Sequence, residues 1–340
     1  MTDQTAVPPH IALLRISGSV MLARCIGVVA ELGLADGVAA APKTAIELAA
    51  ETKSHPGAMY RALRYLASNG IFAEDAQGRF TNTDISNLLR TGIPGSMRDS
   101  VRQSWQDVMW DTYKKIPHTI RTGEPAFTEA FGADFFDYLS AHPDIGARFD
   151  AAMAMQSAPE NAAVARAYPF GDFKSVVDVA GGRGGFMTEL LKTYPNLRGV
   201  LFDQQYVLDQ PNHVRDAGLL TRCELVGGSF FETVPQGGDV YVLKRILHDW
   251  DDDTAVRILK TCAKAMSSRA KIVVVDAVIK PGNDPDPNKA LDMGMMILLK
   301  GRERTADDFA KVYAAAGLQL TRIIPTGAPS TMSLVEGQLG

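Results

Sequence analysis

Apolar and polar positions follow two regimes along this chain. From about residue 170 onward, short runs rich in β-branched residues recur: Ser175 to Val179, Gly199 to Asp203, Arg222 to Val226, Asp239 to Leu243 and Lys271 to Ala277. Such runs read as buried parallel strands, because a strand covered on both faces needs no polar alternation. Between them the spacing turns helical, as in Phe186 to Leu191, Asp253 to Met266 and Thr305 to Ala316, the last stopped by Gly317. Leu318 to Ile324 and Met332 to Glu336 close as strands around a Pro/Gly turn. Strands alternating with helices predict an α/β fold, a doubly wound and mostly parallel sheet over residues 171–340.

Before residue 170 the period is helical. Residues 1–9 read as a tail. Ile11 to Leu34 is apolar with only scattered polar points, so it needs cover on more than one side, from its own domain or from a second subunit. Thr44-Ala45-Ile46-Glu47 is a capping box opening a helix over Ile46 to Glu51. Ser54 is expected to open a second helix, His55 to Asn69, which Gly70 ends. Ile71 to Ala73, the turn Asp75 to Gly78 and Arg79 to Thr81 predict a hairpin. Helix, turn, helix and hairpin make a winged-helix pattern, placed in a domain over residues 1–100. DNA binding is weighed and disfavoured there: nine basic side chains meet nine acidic ones, which leaves no electrostatic footprint.

A second domain is expected over residues 101–340, beginning with a helical segment, 101–170, dense in Trp105, Met109, Trp110, Phe127, Phe131 and Phe149. Such side chains form core or line a flat apolar pocket. The formal charge of −4 gives no general pull toward nucleic acid or an anionic membrane. Arg15 and Arg24 interrupt the apolar N-terminal run, which argues against a membrane span. Three cysteines without a CxxC pair, and no visible signal-peptide pattern, point to reduced thiols in a cytoplasmic protein. The six histidines show no metal-ligand spacing, so no metal is expected.

The chemistry gathers at two places. Asp178-Val179-Ala180-Gly181-Gly182-Arg183-Gly184-Gly185 is a glycine turn between a strand and a helix, which suits a nucleotide-type ligand: glycine allows positive φ and the helix start leaves N–H groups free. The dinucleotide pattern GxGxxG lacks its third glycine, whereas the acid preceding the glycines gives D-x-A-x-G-x-G. Asp203, ending the next strand, is placed to hold ribose hydroxyls of NAD or of S-adenosylmethionine. The second place is Asp239 to Trp250, which puts His248 just beyond a strand's carboxyl end, the edge where open α/β sheets bind ligands. Gly227-Gly228-Ser229-Phe230-Phe231 lies upstream and Gly301-Arg302-Glu303-Arg304-Thr305 downstream.

Taken in order with Phe202-Asp203 and Leu247-His248-Asp249-Trp250, these runs resemble the small-molecule S-adenosylmethionine-dependent O-methyltransferases, the class I family of plant caffeate and bacterial natural-product enzymes. The resemblance covers nearly the whole chain. It implies a Rossmann-like methyltransferase domain behind a winged-helix dimerisation domain, hence a homodimer. It also implies S-adenosylmethionine as cofactor, S-adenosylhomocysteine as product and a small aromatic hydroxyl compound as substrate. By the same resemblance His248 is the general base for a phenolic hydroxyl, flanked by the acids Asp276 and Glu303. Relatives often carry Glu where Asp276 stands, so Glu303 is expected to be the acid that reaches the ring.

The resemblance further places Asp178, Gly181, Gly182 and Gly184 around the methionine end of the cofactor. Asp203 falls to the ribose, and Gly228, Ser229 and Phe230 to the adenine, with Lys244, Arg245 and Ser157 flanking. Candidate substrate contacts are Phe149, Met153, Met293, Met296, Trp105 and Asp249, with Met155 nearby. Asp249, together with Asp251, Asp252 and Asp253, is also expected at the N-terminus of the next helix. Three departures stand out: Ala180 for the first motif glycine, Gln204-Gln205 for Leu-Pro, and Ser229 for Asp. Two other readings are kept. A relative using the cofactor for decarboxylation or hydroxylation is disfavoured by His248 with Glu303, since such chemistry needs no base for methyl transfer. A winged-helix regulator that senses a ligand is disfavoured by the neutral N-terminal domain.

Overall fold

The computed structural model describes residues 7–328 and 330–340, apart from the side chains of 150–152, 154–156 and 158. The chain divides into two compact units. The first runs through Trp110 and takes in Ala147–Ala152; the second comprises Asp111–Gly146 and Met153–Gly340. The boundary falls after Trp110 rather than at residue 100 because the helix Arg98–Ser104 packs against the N-terminal helix. Arg98 donates to the Ala30 carbonyl at 2.7 Å, and Arg102 pairs with Glu31 at 2.6 Å.

The N-terminal unit opens with α1 (Pro9–Glu31), whose proline at the first turn gives up no needed N–H. Strand β1 (Lys43–Thr44) leads into α2 (Ala45–Glu51), then α3 (Pro56–Ala67) and the strands β2 (Ala73–Glu74) and β3 (Arg79–Thr81). The capping box at Thr44 forms as expected: its hydroxyl accepts from the Glu47 N–H while the Glu47 carboxylate accepts from the Thr44 N–H. The cap of α3 is His55, not Ser54: its Nδ1 accepts from the Ala58 N–H at 3.3 Å. Pro56, suited only to a first turn, fixes that boundary. The hairpin β2–β3 is antiparallel, and β1 adds a third strand beside β3. Two residues are too short to show a period, so β1 left no trace in the pattern. Leu48, Leu63, Leu66, Phe72 and Phe80 fill this unit's core. By length and composition alone α1 could cross a membrane, and in a single copy it is mostly uncovered. Leu13, Leu14, Ile16 and Met21 are 61–71% exposed.

The second unit begins in short helices and enters the sheet through α4 (Pro143–Ala167), of which Ala147–Ala152 is assigned to the first unit. The strands are β4 (Ser175–Val179), β5 (Arg198–Asp203), β6 (Cys223–Gly227), β7 (Val240–Lys244), β8 (Lys271–Asp276), β9 (Leu318–Pro325) and β10 (Ser333–Leu339). Each lies within a few residues of its expected place. The order is β9-β10-β8-β7-β4-β5-β6, parallel from β6 to β8, with β10 and β9 antiparallel at one edge. Strand order therefore reverses between β4 and β7, and a ligand crevice opens at such a switch point.

Helices cover both faces, as the unbroken apolar runs require. Val177, Val179, Tyr241, Leu243, Ile272 and Val274 face α6 (Asp252–Ala265) and α8 (Ala306–Ala315). Val176, Val240, Val242, Val273 and Val275 face α5 (Gly185–Thr193) and the end of α4. Helix α7 (Pro287–Leu298) follows β8 and packs on the helices Ile116–Thr122 and Ala126–Phe131.

Candidate active site

The first half of the site follows β4. Ala180, Gly182 and Gly184 all hold positive φ, +58°, +59° and +79°, so the chain enters the left-handed region three times in five residues. Glycine does this freely, whereas an alanine is strained there by about 1 kcal/mol. The turn is also too tight for side chains. A Cβ on Gly181 would run into Asp178 and Leu201, and one on Gly184 would lie 2.8 Å from Leu201 and Val214. At Gly182 the same construction meets nothing, so its backbone is bare on that side.

The Gly182 N–H donates to Asp203 Oδ2 and the Gln204 N–H to Oδ1, each at 2.7 Å. Asp203 thus holds the turn and presents its carboxylate to a cavity of about 110 Å³. Burial pushes its carboxyl up, against those two N–H groups. Across the cavity stand Gly228, Ser229, Phe230, Phe231 and Trp250, with the three rings meeting edge to face at 4.7–6.2 Å. The Ser229 hydroxyl accepts from the Phe231 N–H at 3.3 Å, so it braces its own loop. Asp178 is buried with Oδ2 unpartnered among the described residues. Burial raises it to about 7, with Lys244 pulling down and Asp203 pushing up.

Lys244 and Arg245 close this half. Both pair with the buried carboxylate of Glu160 on α4: Lys244 Nζ at 2.7 Å, and Arg245 Nε and Nη2 at 3.0 and 2.7 Å. Lys244 also donates to the Ser157 hydroxyl at 3.1 Å. Apolar walls, an acid at a strand end, a bare glycine backbone, an orphaned buried carboxylate oxygen and a lysine fit S-adenosylmethionine: a purine, a ribose, and an amino-acid end with both charges.

The second half follows β7. Arg245, at φ +56°, turns the chain sharply, and the single helical turn Leu247–Asp249 carries His248. The imidazole is 6% exposed. Its Nδ1 lies 2.7 Å from Glu303 Oε1, and its Nε2 3.4 Å from Asp249 Oδ1. Parallel pairing of Val278–Ile279 with Arg304–Thr305 draws the Gly301 to Thr305 run alongside the end of β8. The Glu303 N–H donates to Asp292 Oδ1 of α7 at 2.8 Å. Fully buried Arg304 donates to the carbonyls of Leu247 and Trp250 at 2.8 and 2.9 Å and pairs with Asp252, which pins the turn around His248. A Cβ on Gly301 would collide with the His248 carbonyl and the Asp249 backbone, so that residue must be glycine.

The two acids expected beside His248 differ. Glu303 reaches the ring. Asp276, fully buried at the end of β8, has no hydrogen-bond partner on either oxygen among the described residues. One methylene fewer than Glu leaves it acting through its field alone. Asp249 does not cap α6; Asp251 does, accepting from the Thr254 N–H at 2.8 Å, while Asp249 faces the ring. Burial pulls His248 toward the neutral form, but Asp276, the Glu303 hydrogen bond and Asp249 outweigh it and carry it to about 9. Burial raises Asp276 to about 7 and Asp249 to about 6.

Of the expected substrate contacts, Met293 and Met296 lie on α7, and Met153 on the part of α4 in the second unit. Trp105 and Phe149 belong to the N-terminal unit, where Trp105 packs against Gly27 of α1 and its ring meets Trp110 at a tilt of 42°, centroids 5.9 Å apart. The Met155 side chain lies outside the described residues. Glu160 and Asp292 escaped the sequence reading. Glu160, three positions after Ser157 on one helical face, was the more accessible of the two.

A family model of the O-methyltransferase domain matches residues 113–319, and one of the O-methyltransferase dimerisation domain matches residues 14–92. The chain is 39% identical to the phenazine O-methyltransferase PhzM of Lysobacter antibioticus, over 98% of this chain and 97% of that protein. It superposes on the mitomycin 7-O-methyltransferase MmcR with a TM-score of 0.90 at 33% identity, covering 97% and 98% of the two chains. An O-methyltransferase of neocarzinostatin biosynthesis, solved with S-adenosylmethionine and 2-hydroxy-5-methyl naphthoic acid, gives a TM-score of 0.83 at 31% identity, covering 99% and 100%.

Replacing Ala180 by glycine removes a strained side chain where nothing else requires one. Urea unfolding of A180G should show a gain of roughly 0.5–1 kcal/mol, after the larger entropy of the unfolded glycine is subtracted. A loss of stability would show that the Ala180 methyl packs more than its backbone strains.

Proposed function

The chain belongs to the O-methyltransferase family that carries its own dimerisation domain, and we propose that it methylates a phenolic hydroxyl of a small aromatic or polycyclic metabolite, with His248 as general base. S-adenosylmethionine supplies a methyl group already activated on a sulfonium sulfur. The protein's part is to make the acceptor nucleophilic and to hold it in line. A phenol titrates near pH 10, so at neutral pH its proton must be taken.

The observation that carries this reading is the buried His248–Glu303 pair at 2.7 Å, seated beside the switch point of the sheet. Glu303 orients the ring through Nδ1 and so turns Nε2 toward the reacting hydroxyl. Asp276 and Asp249 stabilise the imidazolium that results, the role a third group plays in a triad. On the cofactor side Asp203 binds the ribose, Phe230 the adenine, and the Gly182 backbone with Asp178 and Lys244 the amino-acid end. The relatives named above, which act on phenazine and mitomycin compounds or were solved with a hydroxylated naphthoic acid, support an aromatic acceptor. Met293 and Met296 suit one, since methionine adapts to flat, irregular shapes. The uncovered apolar face of α1 supports a homodimer through the region that matches the dimerisation model.

His248→Ala should lower kcat for a methylated phenol roughly 10²–10⁴-fold while the affinity for S-adenosylhomocysteine, read by calorimetry, stays within about threefold. Unchanged turnover would end the general-base role. Only the neutral imidazole accepts a proton, so kcat should climb with pH and level off near the His248 value of about 9. Stability runs the other way. The folded value lies above the unfolded one of about 6.5, so this contribution is complete below pH 6.5 and is lost as pH rises through about 9. A rate that falls between pH 6 and 8 would contradict the assignment. For assembly, Ile16→Asp on the exposed face of α1 should shift the particle from dimer to monomer in analytical ultracentrifugation. An unchanged sedimentation coefficient would move the interface elsewhere.

A further inference from the structure

Glu160 takes no part in the chemistry proposed above, yet it is the most heavily bonded carboxylate near the site. Its side chain is 7% exposed and holds two cations, Lys244 through one oxygen and Arg245 through both. It sits on one face of α4 with Ser157, three residues before it, and Asn161, one residue after; Ser157 donates to Asn161 at 3.2 Å. Pro159 interrupts the helix's own hydrogen bonds at that point, so the clamp secures a weakened turn. Arg245 is in turn held in the left-handed region, where a non-glycine residue persists only if its surroundings over-determine it. Its N–H donates to the Val275 carbonyl at 2.9 Å, and the Glu160 fork fixes its far end.

What Arg245 would otherwise reach matters. His248, three residues on, is faced by Asp249 from its own turn, Asp276 from β8, and Glu303 with Arg304 from the run after α7; Asp292 of α7 holds the Glu303 backbone. Arg245 lies within the field of Asp276, Glu303 and Asp249. Arg304 is committed to Asp252 and two carbonyls. An unclamped guanidinium at Arg245 would turn to Asp276, whose two oxygens have no partner among the described residues, and would compete with His248 for its acids.

We propose that Glu160 is a positioning residue for methyl transfer: it keeps the Arg245 guanidinium off the carboxylates that serve His248 and anchors the turn on which His248 sits. The role in methyl transfer rests on the proposed function, whereas the effect on His248 does not require turnover. The imidazole is therefore followed directly, by NMR of the full-length protein labelled with ring-13C histidine, the resonance being assigned by its loss in H248A. In E160Q the freed guanidinium should lower the His248 titration midpoint by about one pH unit. The rise of kcat with pH should move down by the same one unit, and the plateau above it should fall about threefold, because a weaker base takes the proton less readily.

In E160Q/R245Q, which removes the guanidinium as well, the midpoint should return to the wild-type value. E160D keeps the charge but not the double reach, and should shift the midpoint in the same direction by about half as much; it also serves if E160Q does not fold. An unmoved midpoint in E160Q and E160D overturns the proposal, whatever happens to turnover, because Glu160 is then scaffold only. A midpoint that stays low in E160Q/R245Q overturns it too, since the guanidinium is then not the agent. If no phenol is methylated by the wild type while the midpoints move as stated, the proposed reaction fails and the positioning of His248 stands.

Discussion

A buried imidazole paired with a buried carboxylate is the constraint around which the α/β unit is arranged. Removing His248 and Glu303 from water is costly unless each keeps partners, and a low-dielectric surrounding makes every unpaired charge expensive. The neighbourhood supplies compensation from several elements at once. Asp292 takes the Glu303 N–H, Arg304 satisfies the carbonyls on either side of His248, and Gly301 lets two backbones touch. Asp276 adds negative field without a hydrogen bond. Together Asp276, Glu303 and Asp249 outweigh burial and push the imidazole's pKa up. For the general base proposed above, the basicity that strengthens acceptance also limits the neutral fraction on hand.

Backbone strain gathers at the same edge of the sheet. Two non-glycine residues of the second unit hold positive φ, Ala180 after β4 and Arg245 after β7, among the described residues. These are the two strands between which the order reverses. Each sharp turn lets a functional group follow its strand within a few residues: the bare Gly182 backbone in one case, His248 in the other. Such strain survives where surrounding contacts over-determine it. At Ala180 the contact is Gly182 held by Asp203; at Arg245 it is the Glu160 fork.

Much of this was legible before any coordinates. Continuous β-branched runs marked the parallel strands, because burial on both faces leaves its own pattern, and the glycine turn and the Leu247 to Trp250 run marked both halves of the candidate site. What escaped was decided by contacts distant in sequence. Glu160 reads as an ordinary helical acid until β7 delivers Lys244 and Arg245 to it. Asp249 reads as one of four acids before a helix, and only the tight turn after Arg245 separates it from the capping Asp251. Strand β1 is too short to carry a period, and His55 displaced Ser54 as a cap because Pro56 fixed the helix start. Trp105 was grouped with the pocket by composition, whereas Gly27 on α1 offered it a closer seat.

The candidate groups also divide between strands and helices. The groups proposed to need close alignment, the glycine turn, Asp203, Lys244 and His248, end or closely follow a strand of the parallel sheet, and sites carried by regular elements are held more precisely than sites on loops. The candidate acceptor contacts of this unit, Met153, Met293 and Met296, lie instead on helices α4 and α7, and α7 packs on further short helices. Exchanging side chains there would leave the strand ends that carry the proposed base and cofactor contacts in place. Relatives with this same fold are named for a phenazine and for mitomycin. A reaction centre proposed at strand ends, with the candidate acceptor contacts on helices, would let acceptors diverge at little cost to the chemistry.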